Sequence, residues 1–164
     1  MSMIGNLLAI CPDQVEAIFT RSKLLSTLLY SENTVVRPDN HLNIEKTWHA
    51  IHYTLNGSTW GGEGPLSWVI LGGQEIGEDV GYGPARYLTP TQVKAIAAAL
   101  ATISSQTFVT QLDPAAMDAA EIYPQGWESA GQDGLDYVVQ YYDQLSLFYR
   151  TAAESGNAVL VYLN

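Results

Sequence analysis

Two histidines stand three residues apart near an acidic residue in the first half of the chain. His49 and His52 lie on a predicted helix, and Glu45 precedes His49 by about one turn, so the three side chains can approach one side of that helix. Three such groups can bind a transition metal. His52 also falls on the apolar stripe that contains Trp48, which favours histidines that are hydrogen-bonded within the core or that flank a cleft. We therefore predict no metal site and no cofactor.

Three carboxylates and an arginine follow in a glycine-rich stretch. Glu75, Glu78 and Asp79 belong to a predicted loop, and Arg86 comes seven residues after Asp79. Paired carboxylates serve as acid and base when burial separates their pKa values. An arginine buried near two acids more often forms an ion pair that fixes a loop. We therefore predict a structural ion pair here and name no catalytic residue.

Other catalytic patterns are incomplete in this chain. The segment 81–84, Gly-Tyr-Gly-Pro, lacks the third glycine and the Lys-Ser/Thr ending of a phosphate-binding loop. Ser58 and Ser67 have no glycine elbow around them. Cys11 is the single cysteine, which excludes an intramolecular disulfide framework and fits a reducing compartment. Nucleotide binding and nucleophilic catalysis gain no support from these segments.

The apolar patterns around these groups predict an α+β fold, mostly helical, as a single domain. Residues 6–10 and 158–163 form apolar runs typical of buried strands. We expect these two terminal strands to pair in one small sheet, with a further short strand at 87–88. The polar residues 32–42 and the glycine-rich residues 58–64 and 126–134 are predicted loops.

Helical spacing of apolar residues predicts the remaining elements. Asn43, Thr89 and Asp113 are expected helix caps, and Gly57 is an expected helix end. The predicted helices are one bent or two short helices over 12–29, then 44–56, 90–103, 114–122 and 135–154. The last of these is the longest and is strongly amphipathic. In residues 65–71, the proline at the start and the glycine that follows favour a helical turn whereas Val69 and Ile70 favour a strand, and of the two we predict a short helix.

The charge is strongly acidic and unevenly placed. Seventeen Asp and Glu oppose seven Lys and Arg, which gives a net charge of -10. Nucleic acid and anionic membrane are therefore poor partners, and no run approaches the ~20 apolar residues of a membrane-spanning helix. Residues 95–149 contain no Lys or Arg but many acids. This segment is either a solvated face that aids solubility or a surface that attracts a basic partner.

The order of several short motifs resembles a known family. They are Met3-Ile4-Gly5-Asn6, Trp48-His49-Ala50-Ile51-His52, Leu71-Gly72-Gly73, Gly77-Glu78-Asp79-Val80-Gly81-Tyr82-Gly83-Pro84-Ala85-Arg86, Ile122-Tyr123-Pro124 and Ala158-Val159-Leu160-Val161-Tyr162. Together they are similar to the YfbM-like family, small bacterial proteins of unknown function, over nearly the whole chain. The resemblance implies one compact α+β domain over residues 1–164, located in the cytoplasm, and carries over no catalytic residue.

Two hypotheses follow for function. The leading one is a non-enzymatic acidic binding protein, with a toxin-neutralising immunity protein as one form by analogy with other small acidic families. Its predicted partner-binding residues are Asp113, Asp118, Glu121, Trp127, Glu128, Asp133, Asp136 and Asp143. Among them, Trp127 is expected to be an exposed anchor on a glycine-rich loop, like Trp60.

The alternative hypothesis is an enzyme or small-ligand binder. It would use a cleft between the helix of His49 and His52 and the loop of Glu78, Asp79 and Arg86. The predicted cleft residues are Trp48, His49, His52, Trp60, Glu78, Asp79, Tyr82 and Arg86. The sequence leaves the oligomeric state open.

Overall fold

The two ends of the chain lie side by side in the middle of one sheet. The computed structural model describes residues 2–30 and 40–164. In it β1 (Gly5–Ile10) pairs antiparallel with β5 (Ala158–Leu163). All of β1 and nearly all of β5 are buried, because helices or loops cover both faces of a central strand. The predicted pairing of the terminal strands in an α+β fold is confirmed.

The sheet is larger than the sequence indicated. It has five antiparallel strands in the order β2-β1-β5-β4-β3, where β2 is His41–Glu45, β3 is Gln74–Asp79 and β4 is Pro84–Leu88. The predicted loop at 75–79 is thus a strand, and the end of the predicted 32–42 loop belongs to β2. Both are edge strands whose polar residues meet solvent, so they carry little apolar pattern. Residues 32–39 of that loop lie outside the described residues.

Eight helices accompany the sheet in the described part of the chain. They are α1 (Pro12–Thr20), α2 (Ser22–Tyr30), α3 (Trp48–Asn56), α4 (Gly64–Leu71), α5 (Pro90–Ala101), α6 (Ser105–Gln111), α7 (Pro114–Ala119) and α8 (Trp127–Glu154). The expected cap of α5 is confirmed, since Thr89 Oγ1 accepts a hydrogen bond from the Gln92 amide. Asn43 is not a helix cap, because it lies in β2 and Thr47 precedes α3. Helix α6 was not predicted.

Helix α8 begins eight residues earlier than the apolar pattern indicated. The predicted loop over 126–134 is instead the first part of α8, with one break at Gly131, where φ is 59° and ψ is -149°. Glycine adopts such a conformation without the steric penalty of a Cβ. The helix therefore changes direction at Gly131 and continues to Glu154.

Apolar side chains fill both sides of the sheet. Alternate residues of a strand point to opposite faces, so Leu7 and Val161 meet the larger cluster under α3, α4, α5 and α8, whereas Leu8 and Leu160 meet the smaller cluster under α1 and α2. Trp48 is fully buried in the larger cluster. The sheet therefore separates two cores of unequal size.

Within residues 2–30 and 40–164, no single helix is long and apolar enough to cross a membrane, and α5 with α6 passes that test only as a pair bent by 81°.

Candidate functional site

His49 is buried in a position that fixes its tautomer. Its side chain lies on α3 and is 2% exposed. Nδ1 accepts a hydrogen bond from the backbone amide of Tyr123 at 3.0 Å, so the ring proton must sit on Nε2, which then donates to the Thr59 carbonyl at 3.0 Å. Both ring nitrogens are satisfied only when the imidazole is neutral.

His52, one turn later on α3, also contacts a backbone carbonyl of the loop that follows this helix. It is 1% exposed, and Nε2 lies 3.0 Å from the carbonyl oxygen of Gly61. Burial lowers the pKa of both His49 and His52, and repulsion between the two rings if both were protonated lowers that of His52 further. The two neutral rings hold the loop after α3 at Thr59 and Gly61. The prediction of histidines hydrogen-bonded within the core is confirmed.

Glu45 does not complete a metal site with these histidines. It lies at the end of β2 rather than on α3, and its backbone amide donates to the Asn43 side chain. Among the residues that the structure describes, no group of three or more His, Cys, Asp or Glu side chains could hold a metal ion. In this structure the two histidines bind carbonyl groups of the loop after α3.

Trp60 stands at the outer end of a column of aromatic rings. Its indole is 64% exposed, and its ring centroid lies 4.6 Å from that of His49. His49 in turn stacks on the buried Trp48 at 4.7 Å and an interplanar angle of 7°. The expected exposure of Trp60 is confirmed, and the histidine connects this surface residue to the core.

Trp127 was expected to be an exposed anchor, and the structure contradicts this. Its side chain is 4% exposed, and Nε1 donates to the Ile122 carbonyl at 2.9 Å. The reason is that Trp127 opens α8 rather than standing in a loop, so the helix turns its indole into the core. A single glycine-rich stretch in the sequence does not distinguish a loop from a kinked helix.

Arg86 forms the expected ion pair, but with the neighbouring strand. Nη2 lies 2.7 Å from Glu75 Oε1, across the β3–β4 pair, and the two side chains are 34% and 55% exposed. A pair in this environment contributes about 0–1 kcal/mol to stability. It is therefore a surface contact within a hairpin and not the buried pair that the sequence suggested.

Glu78 and Asp79 do not join this ion pair. Asp79 Oδ1 accepts hydrogen bonds from the amides of Gly81 at 2.7 Å and Gly83 at 3.2 Å. It thus closes the turn between β3 and β4. Glu78 is exposed on β3.

A cavity of about 320 Å³ contains only some of the residues that the alternative hypothesis placed in a cleft. Trp60, Tyr82 and Arg86 line it together with apolar residues of α4 and β5. Trp48, His49, His52, Glu78 and Asp79 are outside this lining. The structure therefore brings together three of the eight predicted cleft residues.

The first two acids of the predicted partner-binding set cap helices. Asp113 accepts from the Ala116 amide at 3.0 Å and starts α7. Asp118 accepts hydrogen bonds from the backbone amides of Gly126, Trp127 and Glu128 at 2.8, 2.9 and 2.9 Å. The amides of Glu128 and Trp127 contribute most to a lowered pKa of Asp118. These two carboxylates hold α7 and the start of α8 in place.

The other five acids of that set are exposed. Gln132 Nε2 donates to Asp136 at 2.7 Å, and Ser105 Oγ donates to Asp143. Asp136 and Asp143 share one side of α8, about 10 Å apart along its axis. Within residues 2–30 and 40–164, the only ion pair is that of Arg86 with Glu75. The five acids therefore have no Lys or Arg within ion-pair distance in that part of the chain.

The comparisons with known proteins agree on an α+β family without an assigned function. The chain belongs to the family described as "Domain of unknown function (DUF1877)", whose model matches residues 1–162. Its fold resembles that of the protein of unknown function YfbM from Escherichia coli, with a TM-score of 0.76 and 20% sequence identity, over 98% of this chain and 99% of that chain. None of the curated proteins compared with this chain matches it. The resemblance to the YfbM-like family is thus confirmed.

Proposed function

We propose that this protein is a non-enzymatic binding protein that presents an acidic face to a basic protein partner. The acidic face consists of Glu121, Glu128, Asp133, Asp136 and Asp143. The observation that carries the proposal is that these five exposed carboxylates have no cationic partner among the described residues. Asp113, Asp118 and Trp127 lie outside the proposed contact because they cap helices or fill the core.

The physical basis is electrostatic steering. Exposed charges of one sign raise the association rate with a partner of opposite charge, and salt weakens the effect because the Debye length is about 10 Å at 0.1 M. Hydrogen bonds from the neutral groups of Gln132 and Ser105 leave the charges of Asp136 and Asp143 in place. The face therefore remains negative as a whole and can recognise Lys and Arg on a partner.

A toxin-neutralising immunity protein in the bacterial cytoplasm is the narrower form of this proposal. Such a protein would cover a basic surface of the toxin with its own acids. The excess of acids over bases supports it, and the single exposed Cys11 suits a reducing compartment. The prediction specific to this form is that a basic toxin loses its activity when the wild-type protein is added.

The test is capture of partners from the native lysate by the tagged protein. Two variants with the same change in net charge are compared. One replaces Glu128→Gln, Asp133→Asn and Asp136→Asn on the acidic face. The control replaces Glu16→Gln, Glu63→Gln and Glu78→Gln, which are exposed elsewhere.

We expect one stoichiometric basic partner that is captured by wild type and control. The acidic-face variant should bind it about tenfold more weakly, because each exposed ion pair contributes roughly 0.2–1 kcal/mol. Binding should weaken as salt is raised above about 0.1 M. Equal binding of the partner by both triple variants would contradict the acidic-face proposal.

A further inference from the structure

The cavity beside Trp60 has a floor formed by the sheet. Arg86 stands opposite Glu75 on β3 and opposite Val161 on β5. Side chains opposite each other on adjacent strands share one face, and Val161 belongs to the core under α4. The side chain of Arg86 therefore lies on the helix-covered face of the sheet, and it lines the cavity together with Ile70 and Leu71 at the end of α4.

Two of the side chains that line this cavity are exposed aromatic residues. Trp60 is 64% exposed and comes from the loop after α3, whereas Tyr82 is 40% exposed and comes from the β3–β4 turn. Large aromatic residues are normally buried to a greater extent. Exposed aromatic side chains on two separate segments beside one cavity are therefore a feature that folding alone does not require.

The segments that carry Trp60 and Tyr82 are held in place by contacts with other parts of the fold. His49 packs against the indole of Trp60, and His49 and His52 bind the backbone of the same loop at Thr59 and Gly61. The backbone amide of Tyr82 donates to the Leu163 carbonyl at 3.3 Å. A binding surface that is already ordered loses less conformational entropy when a ligand binds.

Arg86 is the one charged side chain that lines the cavity in the described part of the chain. A guanidinium has five N–H donors, and its contact with Glu75 engages Nη2. Arginine binds carboxylates with directional hydrogen bonds and stacks on aromatic rings. A cavity of mixed polar and apolar lining, with two exposed aromatic side chains and a single cation, suits a ligand that has a flat ring system and one negative charge.

We infer that this cavity binds a small planar organic anion. The ring system of the ligand packs against Trp60 and Tyr82, and its carboxylate accepts hydrogen bonds from Arg86. The volume of about 320 Å³ is at the lower end of ligand sites and admits one or two fused rings. The site is distinct from the acidic face, since none of its lining residues belongs to that face.

The test is calorimetric titration of the full chain with 2-naphthoate and with 2-naphthalenemethanol, which has the same ring system without the charge. We expect the acid to bind about tenfold more tightly than the alcohol, because one charge-assisted hydrogen bond accounts for about a tenfold difference in affinity. Arg86→Gln should remove this preference. Glu75→Gln should strengthen binding of the acid, because it removes a carboxylate that competes for the guanidinium.

Two further variants separate the site from general effects. Trp60→Ala should weaken both ligands, whereas Phe19→Ala, at another exposed aromatic residue, should change neither. The acidic-face triple variant should bind 2-naphthoate as wild type does, so failure of either proposal is recognised separately. With folding verified by circular dichroism, the inference is overturned by equal binding of acid and alcohol, by an unchanged preference in Arg86→Gln, or by no binding of 2-naphthoate at about 5 mM.

Discussion

The buried imidazole of His49 lies 4.6 Å from the exposed indole of Trp60, ring centroid to ring centroid. The same imidazole joins Tyr123 to Thr59 through its two nitrogens. One neutral side chain therefore connects the loop before α8, the helix α3 and the loop that presents Trp60. The protonation state of His49 and the placement of Trp60 are linked by this arrangement.

Mild acid should destabilise the protein through His49 and His52. Burial lowers both pKa values in the folded state below the ordinary value near 6.5. Above that pH neither the folded nor the unfolded state is protonated, so the contribution to stability is complete. As pH falls below about 6.5 the unfolded state takes up protons first, so the free energy of unfolding decreases until the folded pKa values are passed.

Urea unfolding between about pH 5 and 8 measures this effect. In His49→Gln the amide can replace both hydrogen bonds without titrating, so the fall in unfolding free energy between pH 7 and 5 should become smaller than in wild type. Asp118 has a lowered pKa and also loses its contribution in acid, but only below its ordinary value of about 3.8. An unchanged pH dependence in His49→Gln would contradict the assignment to this residue.

Truncation of Trp127 should destabilise the protein far more than truncation of Trp60. Trp127→Ala removes a buried indole and its hydrogen bond to Ile122, and should lower the free energy of unfolding by about 3–5 kcal/mol. Trp60→Ala removes a mostly exposed side chain and should lower it by less than about 1 kcal/mol. Chemical unfolding of the two variants at the same pH gives the comparison, and equal losses would contradict the burial described for Trp127.

These two tryptophans also show where sequence reasoning succeeds and fails. Both stand in glycine-rich stretches, so local composition assigns them the same role. Trp127 is buried at the start of α8, where its backbone amide donates to Asp118 from nine residues earlier in the chain, and that contact depends on tertiary packing. The central strands and α5 were predictable because they combine continuous apolar runs or caps with clear periodicity.

The edge strands and the cavity were not predictable for a related reason. Strands β2 and β3 are recognised by backbone pairing with β1 and β4, and their polar side chains have no buried pattern. The cavity forms because the fold brings Trp60 beside the β3–β4 hairpin that carries Tyr82 and Arg86. Residue types suggested that these side chains could act together, but only the fold shows which ones do.

Loss of the Asp118 cap should loosen the start of α8. Its carboxylate accepts three backbone hydrogen bonds, whereas that of Asp113 accepts one. Asp118→Ala should therefore lower the thermal unfolding midpoint more than Asp113→Ala does. It should also speed hydrogen exchange at the amides of Gly126, Trp127 and Glu128, which would lose their acceptor.

Asp133→Asn serves as the control for charge, because Asp133 is exposed and lies in the same helix. It should leave the midpoint and the exchange of those three amides unchanged. If Asp118→Ala and Asp133→Asn give the same exchange rates at these amides, the capping role of Asp118 is wrong.

Gly73, which precedes β3, should not tolerate a side chain. Its φ is +92°, and a Cβ at this position would lie 2.5 Å from the backbone carbonyl oxygen of Tyr87 on β4. A rigid strand cannot yield as a flexible side chain does, so Gly73→Ala combines backbone strain with a steric clash. We expect a loss of at least about 2 kcal/mol in the free energy of unfolding.

Gly83→Ala separates the two causes, because Gly83 has a similar φ of +99° but no atom within 4 Å of the added Cβ. It should lose about 1 kcal/mol or more from backbone strain alone. The difference between the two variants in urea unfolding then measures the close approach of β4 to Gly73. Equal losses would contradict the close approach of the Tyr87 backbone to Gly73. The pairing of β3 with β4, which places Glu75 opposite Arg86, would then be looser as well.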